Sequence, residues 1–111
     1  EIMKNYVIAA LSGAALILSG QVMAADIEAG KTKAAEVCAS CHGIDGNSPA
    51  PAFPKIGGQY RTYLEKVLKD YKSGTRNDPI MAGMAAGLTP ADIDNLAFYY
   101  SSQPGTLNSK K

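Results

Sequence analysis

The chain carries little of the side-chain chemistry with which proteins bind metals. Its 111 residues include two cysteines and one histidine. A structural zinc site takes four ligands, commonly in two pairs, and here no second pair exists. Ligation by two imidazoles is excluded by count alone. A disulfide framework is excluded too, since a bridge across so short a loop would restrain little of the unfolded chain. Charge of one sign is also missing: 11 basic and 10 acidic residues leave a formal net charge of +1. No basic run carries interleaved aromatics, so nothing favours nucleic acid as a partner. There is no internal repeat and no low-complexity block. The apolar run near the start falls short of the roughly 20 residues of a membrane span.

What is present is concentrated in five residues, Cys38-Ala39-Ser40-Cys41-His42. Two thiols three positions apart, followed directly by an imidazole, read as a site of covalent haem attachment. The two thiols would add to the two vinyl groups and form thioethers, and His42 would bind the iron. A single such run means a single haem c. The rival readings are a redox dithiol, a partial metal site, or coincidence. The dithiol would need a strand and a βαβ context, whereas the residues before Cys38 read as helix.

Residues 1–24 have the three parts of a secretory leader. Met3-Lys4-Asn5 is a short positive start, Tyr6 to Leu18 is apolar, and Val22-Met23-Ala24 ends in small or tolerated residues. Cleavage after Ala24 would deliver the rest to the periplasm without stable membrane insertion. A retained anchor is the alternative. Loss of Lys4 and Glu1 keeps the net charge at +1. Residues 25–103 then form one small domain, and 104–111 a flexible tail. A domain this short often needs a cofactor to complete its core.

The pattern predicts an all-α chain of three main helices wrapped around the haem. The first spans about Ile27 to Cys41, with Asp26 as N-cap and Gly30 as a point of close approach. Gly43 to Gly58 is a loop of turn formers, where Phe53 and Ile56 are apolar anchors. The second helix spans about Gln59 to Lys72, with Tyr60, Tyr63, Leu64, Val67, Leu68 and Tyr71 on one face, and Gly74 ends it. Thr75 to Leu88 is expected to be loop, because Asp78-Pro79 stops a helix. The third helix starts at the Thr89 cap, with Pro90 at its first position and Asp92 completing the start signal. It buries Ile93, Leu96, Ala97 and Tyr100, and Pro104-Gly105 closes it. With one histidine spent, the other side of the iron must take methionine, lysine, a weaker ligand, water or nothing. Met81 and Met84 are the methionines left after the leader.

These features together resemble the class I c-type cytochromes, over roughly Ala25 to Gln103. The resemblance rests on the helix ending in Cys38–His42, the methionine loop, and the last helix with Leu96-Ala97-Phe98-Tyr99-Tyr100. Asn47 to Lys55 is similar to the bacterial members whose di-haem relatives repeat such a domain. The resemblance implies an all-α electron carrier and not an enzyme, with Cys38 and Cys41 as thioether positions and His42 as the proximal ligand. Met81 matches the family's distal methionine better than Met84: it lies eight residues before Thr89, against five. Pro51 resembles the proline whose carbonyl accepts the histidine's other N–H. Gly30 resembles the glycine where first and last helices cross, with Leu96 and Tyr99 as partners. Ala34 departs from the pattern, because many relatives carry an aromatic there. Redox partners are implied, such as a quinol–cytochrome reductase as donor and a terminal oxidase or reductase as acceptor. Arg61 and Arg76 are candidates for the haem propionates, with plain surface charge as the alternative. An enzyme or gas-binding module with a displaceable sixth ligand is the competing function.

Overall fold

A computed structural model describes residues 24–110, which are helical with no strand among them. The leader expected over 1–24 therefore lies, except for Ala24, outside the described residues. No described helix is long and apolar enough to cross a membrane.

The first helical arm begins as α1, Ile27–Lys33, continues as a π-helical turn, Ala34–Cys38, and ends as α2, Ala39–His42. Asp26 caps it: its carboxylate accepts from the backbone N–H of Glu28 at 2.9 Å and of Ala29 at 3.2 Å. The sequence reads this arm as one regular helix. The π-helical turn is the difference, and it leads directly into the turn that holds Cys41 and His42. Such wide turns often mark functional positions.

Two further main helices follow, α3 over Arg61–Ser73 and, later, α5 over Pro90–Ser101. Gly74, at φ 83°, closes α3 in the left-handed conformation. Tyr60 is not on the helical face as expected; it is the extended residue at the N-cap. Thr89 and Asp92 form the capping box that starts α5, each side chain bonded to the other's backbone N–H at 3.1 and 2.9 Å.

One expectation fails between these helices. Residues 75–88 are not all loop, because Pro79–Ala85 forms a short helix, α4. Asp78 caps it, accepting from the N–H groups of Ile80 and Met81, each at 3.0 Å. The Asp-Pro pair is a start signal here: proline at the first helical position has no N–H to satisfy and a suitable φ. The C-terminal segment Thr106–Lys110 is wound into a 3₁₀ turn, and Asn108 donates to the carbonyl of Gln103 at 2.7 Å.

The core lies where α1 crosses α5. Ala34, Leu64, Ala85, Leu88, Ile93, Leu96, Ala97, Tyr99 and Tyr100 form one buried cluster. Gly30 sits at the crossing. A Cβ built there would lie 2.1 Å from the backbone oxygen of Asn95 and 2.9 Å from Cβ of Tyr99. Tyr99 is thus a partner as expected, and the atoms nearest the glycine are those of the Asn95 backbone. The Asn95 side chain adds a second tie, accepting from the N–H of Asp26 at 2.8 Å. Ala34 is completely buried in the same cluster.

Gly30→Ala is expected to lose about 1–3 kcal/mol through overpacking of this crossing. Gly83→Ala, in α4, is the control, since an added Cβ meets nothing within 4 Å there. Thermal unfolding of the two haem-loaded variants should show a lowered Tm for the first and an unchanged or slightly raised Tm for the second.

Candidate haem site

The site starts from the way the chain leaves α2. Gly43 takes φ 84° directly after His42 and turns the backbone into the loop. Two tyrosines of α5 then hold that turn. Tyr99 donates its hydroxyl to the carbonyl of Ile44 at 2.6 Å, and Tyr100 donates to that of Gly43 at 3.2 Å. Burial raises the pKa of both phenols above the ordinary value, with nearby Asp45 and Glu28 adding to the effect on Tyr99 and Cys38 adding to that on Tyr100. Both hydroxyls therefore keep the proton that they donate. Farther along, Gly46 passes against Gly57, where an added Cβ would lie 2.5 Å from its nitrogen. Its carbonyl accepts from Ile56 and Gly57 at 2.8 and 2.9 Å. The loop is thus folded back on itself with its two limbs in contact.

This folding brings Pro54 over the imidazole. Nδ1 of His42 lies 2.8 Å from the carbonyl oxygen of Pro54. The expected acceptor, Pro51, is not the one used. Three prolines stand at 49, 51 and 54, and only the path of the folded loop decides which carbonyl meets the ring. A carbonyl oxygen can only accept, so Nδ1 carries the hydrogen and Nε2 keeps its lone pair. His42 is itself buried, at 9% exposure. A buried imidazole with one nitrogen committed in this way is oriented and polarised for a metal on the other.

The ring belongs to a cleft of about 340 Å³. Val37, Cys38, Cys41 and His42 line it from the first arm, and Phe53, Pro54 and Ile56 from the loop. The second main helix contributes Tyr63, Leu64, Val67, Leu68 and Tyr71, and α5 contributes Leu96 and Tyr100. Ile80, Met81 and Met84 line it from α4. All four residues assigned from the sequence, Cys38, Cys41, His42 and Met81, therefore share one cavity with mainly apolar walls. Met84 lines it too, and is 46% exposed. Tyr63 and Tyr71 of the tyrosine stripe face it, but Tyr60 does not line it. The donor set fits haem c: two thiols, one oriented imidazole and a soft thioether around an apolar space. Burial pushes the Cys38 thiol up to about 11, with the nearby Tyr100 hydroxyl acting the other way.

Sequence reasoning missed Pro54, the hydroxyl roles of Tyr99 and Tyr100, and the charged rim residues Lys55 and Asp78. Tyr99 and Tyr100 carried a signal, since two adjacent tyrosines on a buried helical face need partners for their hydroxyls. Nothing in the local sequence singled out Pro54.

An all-α domain with a C-x-x-C-H arm closing one wall of an apolar cleft defines a c-type haem protein. The cytochrome c family profile matches residues 27–103, and the chain belongs to that family, whose members hold haem c covalently. It is 46% identical over 93 residues to cytochrome c4 of Stutzerimonas stutzeri, covering 76% of this chain and 44% of that protein. Against cytochrome c-554(548) of Halomonas halodenitrificans it is 46% identical over 83 residues, covering 72% of this chain and 99% of the relative. The crystal structure of reduced cytochrome c4 from Pseudomonas stutzeri superposes with a TM-score of 0.69 at 47% identity, over 75% of this chain and 48% of that one. The chain thus spans about half the length of the cytochrome c4 relatives or less, and nearly all of the shorter one. A relative from Stutzerimonas stutzeri, 40% identical over 97 residues with 82% of this chain and 45% of that protein covered, is named a thiosulfate dehydrogenase electron acceptor. Electron transfer by c-type haem is the shared activity of this group.

Tyr99→Phe removes the hydroxyl and leaves the Ile44 carbonyl without its donor. The expected cost is about 1 kcal/mol, read as a lower denaturant midpoint at unchanged slope in the haem-loaded protein.

Proposed function

We propose that this chain is a periplasmic carrier of single electrons, holding one haem c through Cys38 and Cys41, with His42 and Met81 as axial ligands. The observation that carries this reading is the His42–Pro54 hydrogen bond, because it commits one ring nitrogen and leaves the other for iron. Residues 25–103 are the working domain, delivered by a leader over 1–24. Bound in the cleft, haem iron supplies the one-electron couple.

The chain's own residues do the rest. Pro54 fixes the tautomer and plane of His42. The capping of α4 by Asp78 places Met81 in the cleft wall. Leu64, Leu68, Leu96 and Ile56 keep water from the interior, so little solvent must rearrange when charge changes. A neutral thioether favours the reduced state and raises the potential. Cys38 and Cys41 would hold the haem through thioether bonds at the wall of this cleft. An exposed edge of the cleft, with Tyr63, Ile80 and Met84 close to half-exposed or more, suits a small transient contact with redox proteins. The relatives named for thiosulfate dehydrogenase and for the cytochrome subunit of sulfide dehydrogenase support partners of that kind. A quinol–cytochrome reductase as donor and a terminal oxidase as acceptor fit the same chemistry.

The test is direct. Expressed with export and haem maturation, the protein should be coloured, with the processed chain heavier by one haem. The reduced form should not bind CO readily. Ready CO binding would favour the gas-binding or enzymatic alternative, and a colourless chain of unchanged mass would end the reading.

Two further outcomes are expected. Met81→Ala should abolish the weak long-wavelength band of thioether-bound ferric haem and lower the potential, while Met84→Ala keeps the band; the reverse would transfer the ligand role to Met84. The near-neutral net charge predicts weak long-range steering, so electron-transfer rates with a redox partner should vary little with ionic strength when measured by stopped flow.

A further inference from the structure

Setting the tyrosines aside, two polar side chains are buried among the described residues, those of His42 and Ser48. A serine in a loop of turn formers ordinarily faces water. Ser48 instead lies inside the loop that doubles back at Gly46 and Gly57. Its Oγ is 3.0 Å from the carbonyl oxygen of Ala50 and accepts from the N–H of the same residue at 3.3 Å. Those two contacts alone would make an ordinary local turn. The third reaches farther: Oγ is also 3.3 Å from the carbonyl oxygen of Cys41, seven residues back.

That carbonyl belongs to the peptide joining Cys41 to His42. It sits in the last turn of α2, where carbonyls lack partners within the helix. Gly43, at φ 84°, turns the chain away before a later N–H could serve it. The same loop therefore touches His42 at two points. Ser48 meets the peptide before it, and Pro54 meets the ring, with Nδ1 2.8 Å from the carbonyl oxygen. Asn47 fastens this part of the loop from the other side. Its Nδ2 donates to the carbonyl of Pro104 at 2.8 Å, beyond the end of α5, and its N–H donates to the Asp45 carboxylate at 3.0 Å. A Cβ added at Gly105 would lie 2.5 Å from Oδ1 of Asn47, so the amide is packed as well as bonded. Two adjacent residues thus bridge the segment after α5 to the turn that carries the imidazole.

We propose that Ser48 is a positioning residue for His42. It holds the Cys41–His42 peptide so that the ring meets the Pro54 carbonyl in one plane and at one distance, with Asn47 as its support. This rests on the reading that His42 binds haem iron. An imidazole turns about two side-chain bonds, so a hydrogen bond at Nδ1 fixes its plane only when the backbone of the residue is held too. Ser48 supplies that second point. The effect on the redox couple follows from ligand basicity. A well-formed Nδ1–H···O bond makes the opposite nitrogen a stronger donor, and a stronger donor favours ferric iron. Loosening the backbone weakens that bond, so the ferrous form gains and the potential rises. The hydroxyl passes no proton and no electron; it is a neutral tether.

The experiment compares haem-loaded variants, with attachment checked by mass. Three quantities are read: solvent exchange of the His42 Nδ1 proton by NMR of the ferrous protein, the haem-methyl shift pattern of the ferric protein, which follows the plane of the axial imidazole, and the reduction potential. Ser48→Ala is expected to speed the exchange about tenfold and to rearrange the methyl pattern. It should also shift the one-electron equilibrium toward ferrous iron by about threefold, or about 30 mV at 59 mV per tenfold. Ser48→Thr keeps the hydroxyl and should return all three toward wild type. Asn47→Ala should move them in the direction of Ser48→Ala by less, and decides the matter if the Ser48→Ala chain does not accumulate. Thr89→Ala, which lowers stability by removing a helix cap, should leave all three unchanged. So should Ser40→Ala, whose exposed hydroxyl lies within the C-x-x-C-H run. If Ser48→Ala lowers the Tm but keeps the wild-type exchange, methyl pattern and potential, the proposal is overturned while the carrier reading stands. Equal shifts in Ser48→Ala and Ser48→Thr overturn it as well. Wild-type protein without covalent haem overturns the carrier reading and this proposal with it.

Discussion

The imidazole of His42 can face the cleft with only one nitrogen, and the carbonyl of Pro54 decides which. That bond, at 2.8 Å, joins two parts of the chain that local structure alone would not hold together. His42 ends a helical arm, and Pro54 sits in a loop without regular structure. The loop has to be shaped before the bond can form. Its shape comes from Gly46 and Gly57, whose contact no side chain would allow, and from the tyrosine hydroxyls that grip the carbonyls of residues 43 and 44. The imidazole is thus oriented by α5, although the ring itself belongs to the first arm.

The same dependence runs through the crossing at Gly30. Missing one side chain lets the backbone of α1 touch that of α5 at Asn95. This fixes where the first arm points, and so where Cys38, Cys41 and His42 arrive. The tie between the N–H of Asp26 and the Asn95 side chain fastens the start of that arm to the same place. Close packing at one end therefore sets the geometry of chemistry at the other. The burial of Tyr99 and Tyr100 in the same helix face makes the crossing and the loop one unit.

Much of this was legible in the chain itself, where the signal is local. The C-x-x-C-H run marks the family and one wall of the cleft without any fold. The caps at Asp26 and Thr89 are short-range hydrogen-bond patterns, and the apolar stripe of α3 comes from a 3.6-residue period. The misses share a cause. Pro51 and Pro54 are equivalent in composition and differ only in where a folded loop carries them. The atom nearest Gly30 is a backbone oxygen of Asn95, and sequence patterns describe side chains. The Asp78-Pro79 pair is ambiguous in isolation, since the same two residues can terminate one helix or initiate another. Only the apolar residues after it, packed against the core through Ala85 and Leu88, choose the helix.

That short helix bears on how an electron carrier of this type works. Electron transfer is fast when neither ligand nor solvent has far to move as the charge changes. A methionine on a free loop would meet neither condition, because its segment could open to water. Here the segment is fastened at both ends. Asp78 holds the start of α4 through the N–H groups of Ile80 and Met81, and Lys72 of α3 donates to the carbonyl of Leu88 beyond its end. Ala85 and Leu88 anchor it to the core between these points. Under the proposed ligation, Met81 is held from the methionine side as firmly as His42 is from the histidine side. The iron would then sit between two ligands that the polypeptide has placed in advance, and the protein's contribution to electron transfer is that placement.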